Sequence, residues 1–252
     1  MDISDQHHTT DRFLDGRLLI RQPVNGYRAG TDPVLLAAAV SAVAGQSVLE
    51  LGCGVGVASL CLGRRIEGLV QTGVEIQSPY AELARQNALA NAIDLNVINA
   101  DLARLPDQIL AASYDHVIAN PPYLSAGHGT KAADDGKDTA LREKTALARW
   151  VDVAVKRLRP KGVVTLIISA DRVPQILQLL EGRTGSIRLK PLSARTGKPA
   201  GRVIVRAQKG SRGSFRLCAP LILHDGARHL SDQESFGTAA QSILRGGCAL
   251  EF

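Results

Sequence analysis

Val48-Leu49-Glu50-Leu51-Gly52-Cys53-Gly54-Val55-Gly56 runs from an apolar stretch into three glycines spaced two apart. The apolar part predicts a buried strand, Ser47–Leu51, and Val57–Arg64 predicts the helix that follows. Between them the glycines predict a turn whose backbone a ligand can approach closely, at the carboxyl end of a parallel sheet. Working outward, Leu69–Glu75, Leu95–Ile98, Tyr114–Ala119 and Val163–Ile168 repeat the short Val/Ile/Leu-rich texture without strict alternation. Strands buried on both faces read this way. Helices fill the intervals. One opens at Asp32-Pro33, read as N-cap and first helical position, and continues through Leu35, Leu36 and Ala39. Another runs from Ser78-Pro79 to near Asn91. A third carries Leu147, Val151, Ala154, Val155 and Leu158 at helical spacing until Pro160-Lys161-Gly162 stops it. The expected architecture is a doubly wound α/β domain with a mostly parallel sheet.

Beyond a helix near Pro174–Glu181 the texture changes. Ile187–Lys190 and Gly201–Ala207 read as antiparallel strands, apolar inward and basic outward, joined through the turn Thr196-Gly197-Lys198-Pro199-Ala200. Phe215–Leu223 is expected to add a short strand or two, and Asp232–Leu244 a terminal helix. The long polar loop Leu124–Lys144 is of a size that tends to carry function or to be disordered.

Composition excludes several classes. A chain of 252 residues, 45% hydrophobic and 21% charged, has ample core material and is unlike a disordered one. No stretch reaches the roughly 18 apolar residues of a membrane span; Val34–Ala44 is short and interrupted by Ser41. The first eight residues lack the basic-then-apolar order of a signal peptide, so a cytoplasmic protein is expected. Cys53, Cys61, Cys218 and Cys248 form no CxxC pair, and the histidines no HExxH, so reduced thiols and no metal are expected. The net charge of +6 is unevenly placed. Gly182–Arg216 carries ten cations, among them Arg188, Lys190, Arg195, Lys198, Arg202, Arg206 and Lys209, and no carboxylate. The rest of the chain is therefore at −4. Such clustering suggests a nucleic-acid partner; a solvated basic face is the alternative.

Glu75 stands 23 residues beyond Gly52 at the end of the second predicted strand. A carboxylate about 20 residues on is placed to accept ribose hydroxyls. Asp101 closes the third strand similarly, within reach of an adenine amine. Together with Gly52, Gly54 and Gly56 these point to an adenosine-containing cofactor without deciding which, and a dinucleotide remains a competitor. Asn120-Pro121-Pro122-Tyr123 discriminates. Pro121 has no N–H, so the carbonyls here can face a ligand. The Asn120 side-chain oxygen and a proline carbonyl offer two acceptors to one NH2 group, and Tyr123 offers a ring to stack on a planar substrate. Hydride chemistry has no use for that arrangement.

These residues carry a resemblance. Glu50–Gly56 with Asn120–Tyr123 is similar to the class I S-adenosylmethionine-dependent methyltransferases that act on exocyclic amino groups. Asn25-Gly26-Tyr27-Arg28-Ala29-Gly30-Thr31-Asp32-Pro33-Val34-Leu35-Leu36 narrows it to bacterial tRNA(Val) adenine-N6 methyltransferases. The resemblance implies a Rossmann-like domain at 31–223, with an N-terminal extension at 1–30 that includes a cofactor-covering segment and a C-terminal extension at 224–252. It implies S-adenosylmethionine as cofactor, held by Glu50, Gly52, Gly54, Gly56, Glu75, Asp101 and Asn120, with Thr31 and Asp32 contributing from the covering segment. Asn120, Pro121 and Tyr123 would hold the target base, and the basic tail would hold RNA, most plausibly tRNA. Methylation of a protein glutamine or of ribosomal RNA, and a non-catalytic RNA-binding module, are the competing readings.

Overall fold

The computed structural model describes residues 8–122, 124–125, 142–143, 146–226 and 236–252. The chain opens with a hairpin that no sequence pattern announced: β1 (His8–Phe13) and β2 (Leu18–Pro23), antiparallel. Then come α1 (Thr31–Ala38), β3 (Ser47–Leu51), α2 (Val57–Arg65), β4 (Val70–Glu75), α3 (Ser78–Ala90), β5 (Leu95–Asn99), α4 (Asp107–Leu110) and β6 (Tyr114–Ala119). Two-residue strands β7 (Leu124–Ser125) and β8 (Arg142–Glu143) pair in parallel; the rest of the expected Leu124–Lys144 loop lies outside the described residues. The chain continues with α5 (Leu147–Arg157), β9 (Leu158–Ser169), a 3-10 turn (Ala170–Arg172), α6 (Val173–Leu180), β10 (Thr184–Ser193), β11 (Ala200–Lys209), β12 (Arg216–Leu217), β13 (Leu221–Ile222) and α7 (Thr238–Leu244).

The main sheet has the order β12-β10-β11-β9-β6-β3-β4-β5, with β13 also on β10. β9, β6, β3, β4 and β5 are parallel, and β11 runs antiparallel between β9 and β10. From β3 the chain moves to β4 and β5, then crosses back to β6 on the other side. β3 and β6 therefore flank the point at which strand order reverses, where the connecting loops diverge and leave a crevice. Side chains of the strands alternate between two cores. Val48, Ile118 and Ile204 pack with α1, α2, α3 and α7; Leu49, Leu51, Val117 and Val205 pack with α5 and α6. Leu14, Leu18 and Ile20 of the hairpin and Ala240, Ile243 and Leu250 near the C-terminus join the first core, so the terminal segments and the central domain are one packed unit.

Several expectations shift. α1 begins at Thr31 with Gly30 as its N-cap and no side-chain cap; Asp32, expected as the cap, instead pairs with Arg202 (Nε–Oδ2 3.2 Å). The expected stop at Pro160–Gly162 lies inside β9, and α5 ends earlier, at Arg157, because residues 158–162 join the sheet. The short strands expected within Phe215–Leu223 are β12 and β13, both parallel to β10. The terminal helix is shorter than Asp232–Leu244, and residues 232–235 lie outside the described residues. The face of β10 and β11 expected to point basic side chains into solvent is partly covered: the Arg206 guanidinium lies 4.7 Å over the Phe252 ring and donates to Ser41 Oγ at 2.6 Å.

The hairpin docks through α3. Asn87, fully buried, accepts from Arg21 N (2.8 Å) and donates to Arg21 O and Val55 O (both 3.0 Å). One turn on, Asn91 accepts from Leu19 N (3.0 Å) and donates to Leu19 O (2.8 Å). Two amides at i and i+4 thus serve the outer edge of β2 as a neighbouring strand would. Asn87→Ala strands the Arg21 N–H, and the expected cost is about 2–4 kcal/mol in urea unfolding, with faster hydrogen exchange at the Leu19 and Arg21 amides. Unchanged stability with unchanged exchange at both would show that the hairpin is held by its apolar side chains alone.

Candidate active site

The crevice between β3 and β6 is walled by the loops that leave their carboxyl ends, whose last residues, Leu51 and Ala119, are register partners. It holds about 860 Å3 of space, open solvent at its mouth included. Glu50, Gly52, Gly54, Glu75, Asn120 and Pro121 line it together, although they come from three strand ends spread over seventy residues of sequence.

The glycine turn is shaped from beneath. Gly52 has φ +64°, and a Cβ there would lie 2.5 Å from the Trp150 ring of α5, so both backbone and packing demand glycine. At Gly54 (φ +56°) a Cβ would meet no atom within 4 Å; the backbone faces open space. Its N–H donates to Glu75 Oε2 (2.9 Å), while Gln77 N donates to Glu75 Oε1 (2.8 Å). Glu50 is 3% exposed, and its Oε2 accepts both the Ser59 N–H (3.0 Å) and the Ser59 hydroxyl. Burial pushes the Glu50 carboxyl up to about 8, against the lowering effect of Ser59 and with a contribution from the nearby Glu75 charge. Burial also raises Glu75, opposed by the N–H groups of Gln77, Gly54 and Ile76.

Residues 24–30 cross the cleft and contribute Tyr27 and Ala29 to its wall. Tyr80 of α3 anchors them: its hydroxyl accepts from Tyr27 N (2.8 Å) and donates to Tyr27 O (3.3 Å). Gln22, 1% exposed, accepts from Ala29 N (2.8 Å) and donates to Asp11 Oδ2 (2.6 Å), and Arg28 is ion-paired with Asp11. Burial, reinforced by the charges of Asp32 and Glu50, pushes the Tyr27 phenol up to about 12, so it stays neutral.

Four expected cofactor residues do not line the cleft. Asp101 Oδ1 accepts from Ala103 N (2.8 Å) and closes its own turn, while Asn99 Nδ2 occupies the end of β4 by donating to Glu75 O (2.7 Å). Asp32 is paired with Arg202, Thr31 lines a separate groove with Arg12 and Phe13, and Gly56 is the N-cap of α2. Tyr123 lies outside the described residues. Tyr27, Pro33, Ile76, Gln77, Tyr80 and Trp150 line the cleft without having been singled out. Trp150, the only tryptophan, sits on the apolar stripe of α5, which periodicity alone assigns to the core.

The basic segment is split by the sheet. The turn between β10 and β11, with Arg195 and the exposed Lys198, projects at the same sheet edge as the cleft, and Arg202 lies in register with Ser169 at the end of β9. Arg195 donates to the carbonyls of Asp225 and Gly226. Arg188 is in register with Arg206 at mid-sheet, and Lys190 with Ile204. Lys209 is at the opposite edge and donates to Leu158 O (2.7 Å).

Residues 29–189, more than half of the chain, match the family model described as methyltransferase small domain. The chain belongs to that family. It is a methyltransferase, and its methyl donor is S-adenosylmethionine. A relative from Dickeya chrysanthemi named tRNA1(Val) (adenine(37)-N6)-methyltransferase is 27% identical over 90% of this chain and 93% of its own. One from Shewanella baltica with the same name is 29% identical over 71% of this chain and 76% of its own. Among solved structures, a predicted O-methyltransferase from Agrobacterium tumefaciens superposes with a TM-score of 0.70 at 26% identity, covering 87% of this chain and 98% of that one. The T. thermophilus 16S rRNA N2 G1207 methyltransferase, solved with AdoMet and guanosine, shares the fold (TM-score 0.56, 24% identity, 80% and 50% covered). The methyltransferase cleft fits a sulfonium nucleoside: open backbone at Gly54, a carboxylate at the end of β4, and no lysine, arginine or histidine among its described lining residues.

The buried carboxyl makes stability pH-dependent. Glu50 in the folded state holds its proton up to about pH 8, whereas the unfolded chain loses it near 4.5, so its contribution is full below 4.5 and is lost as pH rises through 8. His116, pushed down to about 4 by burial, works in the opposite direction, but that change is complete above its ordinary 6.5. Between pH 6.5 and 8 the ligand-free methyltransferase is therefore expected to lose on the order of 1–2 kcal/mol of stability, and Glu50→Gln to flatten that decline. Identical pH profiles for the two proteins in urea titrations would contradict the buried neutral carboxyl.

Proposed function

We propose that this methyltransferase acts on the exocyclic N6 amine of an adenine in the anticodon loop of a tRNA, and so works in the cytoplasm. The observation that carries the reading is the meeting of the Gly52–Gly54 turn and the Asn120-Pro121-Pro122 corner in one cleft. Asn120 and Pro121 occupy the end of β6, whose partner β3 delivers the glycine turn, so a donor on one wall faces an acceptor on the other. The names of the relatives from Dickeya and Shewanella support adenine in tRNA as the target.

When bound, S-adenosylmethionine supplies an activated methyl group. In this reading Glu50, Gly52, Gly54 and Glu75 hold it, with Tyr27 and Ala29 covering it. The adenine amine is a weak nucleophile because its lone pair is delocalised into the ring. Asn120 Oδ1 and the Pro121 carbonyl accept its two N–H groups and stabilise the positive charge that develops on nitrogen. Fixed acceptors in a water-poor cleft are worth about 2.7–4 kcal/mol per group in comparable oxyanion sites. Tyr123 stacks on the ring, and a loop nucleotide, already partly unstacked, reaches the pocket at less cost than a paired one. A hydroxyl acceptor would need its proton removed during attack. An amine loses its proton after transfer.

The basic residues then divide by position. Lys198 and Arg195, on the turn beside the cleft, with Arg202, Arg188 and Lys190 behind them, contact RNA phosphates, whereas Arg206 and Lys209 serve mainly the fold.

Two measurements test the proposal. Asn120→Ala is expected to lower the rate of N6-methyladenosine formation in tRNA by about 100-fold or more with nearly unchanged donor affinity; unaltered turnover removes the acceptor assignment. Lys198→Ala is expected to reduce the salt dependence of tRNA binding by about 0.7 in log–log slope for each phosphate it no longer neutralises, and Lys209→Ala to leave it unchanged. Equal slopes in wild type and Lys198→Ala would return the turn to an ordinary solvated surface.

A further inference from the structure

Two carboxylates, Glu50 and Glu75, face the cleft at 3% and 6% exposure, and the described lining residues include no basic side chain to balance them. Two buried like charges lining one cleft cannot both ionise without cost. Arg17, Arg85 and Arg202 act electrostatically on Cys61, Cys53 and Tyr27, but none of them lines the cleft. Ser59 on α2 donates N–H and hydroxyl to one oxygen, Oε2. The Cys53 and Cys61 thiols are pushed far above their usual range by burial and remain neutral. Tyr27 in the covering segment is neutral for the same reason, and Asp32 on α1 is already paired with Arg202. On β6 the register partner of Glu50 is Ile118, which is apolar. Both Glu75 oxygens accept a backbone N–H, from Gly54 and Gln77, whereas both Glu50 donors converge on Oε2, so Glu50 is the member of the pair placed to keep a proton, on Oε1.

We propose that this pair is a charge gate: the ligand-free cleft carries one proton on Glu50, the cationic methyl donor displaces it to solvent, and the uncharged thioether product left after transfer does not. The inference rests on the reading of this cleft as the donor site. It has a functional consequence. The donor bears one more positive charge than S-adenosylhomocysteine, so exchange for a proton makes discrimination between donor and product rise with pH. Product release is then accompanied by reprotonation of Glu50, which removes the unbalanced charge that the departing sulfonium had compensated.

Calorimetric titration of the whole protein with S-adenosylmethionine and with S-adenosylhomocysteine, at pH 7 in phosphate and in Tris, counts the protons released by each. Wild type is expected to release about one more proton with the donor than with the product. The ratio of product Kd to donor Kd is expected to rise about tenfold per pH unit between pH 6 and 7 and to level off above pH 8. In Glu50→Gln, which keeps an acceptor for Ser59, both differences are expected to vanish apart from the ligands' own ionisation, common to the two proteins. Ser59→Ala removes the two-donor hold on the carboxylate only in part, keeping the N–H, and is expected to move the window to higher pH. Gly54→Ala, whose methyl group meets no protein atom but whose backbone at φ +56° is strained by any side chain, separately tests the site once its urea midpoint shows that it is folded: donor binding undiminished by that substitution would overturn the cleft reading. Weakened binding in Gly54→Ala with equal proton counts in wild type and Glu50→Gln would overturn the charge gate alone.

Discussion

The register between β3 and β6 is the constraint from which the rest of the molecule follows. Leu51 stands beside Ala119, so the residues that come next, Gly52 and Asn120, emerge side by side at one sheet edge. Because the chain continues from β3 to one side of the sheet and from β6 to the other, the segments that follow these two strands diverge. The crevice is a topological necessity, and its chemistry is decided by the few residues that directly follow the strands. A one-residue slip of β3 would turn Glu50 to the opposite face and carry the glycine turn off Trp150.

Around that crevice the fold places rigid supports. Trp150 from below and the Glu75 carboxylate from the side fix the glycine turn. Tyr80, Gln22 and the Arg28–Asp11 pair fix the covering segment, and the amides of Asn87 and Asn91 fix the hairpin from which it hangs. These contacts join elements far apart in sequence, so donor site, cover and acceptor corner form one mechanical unit. Among its described lining residues the cleft holds two carboxylates and no basic side chain, an arrangement that suits a cationic ligand.

The parallel strands were legible because burial on both faces leaves an uninterrupted Val/Ile/Leu signature; Ser47–Leu51 and Tyr114–Ala119 match residue for residue. Glu50, Gly52, Gly54, Glu75, Asn120 and Pro121 could be placed at one sheet edge from the sequence because each lies at or just beyond the end of such a strand. The hairpin was not, because its outer edge is completed by two asparagine side chains some seventy residues away, a pairing without local pattern. Asp32 looked like a helix cap for a similar reason: its actual partner, Arg202, is 170 residues distant. Asp101 sits at a strand end as expected, yet its carboxylate closes a local turn, which a strand-end rule does not see. The basic tail showed its charge but not its geometry; only the sheet reveals that Lys198 and Lys209 lie at opposite edges.

A crystal structure of the protein with S-adenosylhomocysteine and adenosine together tests the shared cleft most directly. The thioether nucleoside is expected along Gly52–Gly54 with its ribose at Glu75, and the adenosine N6 between Asn120 Oδ1 and the Pro121 carbonyl, facing the sulfur. Nucleoside bound outside this cleft, or an Asn120 side chain directed away from the sulfur with both ligands in place, would contradict the shared donor and acceptor site.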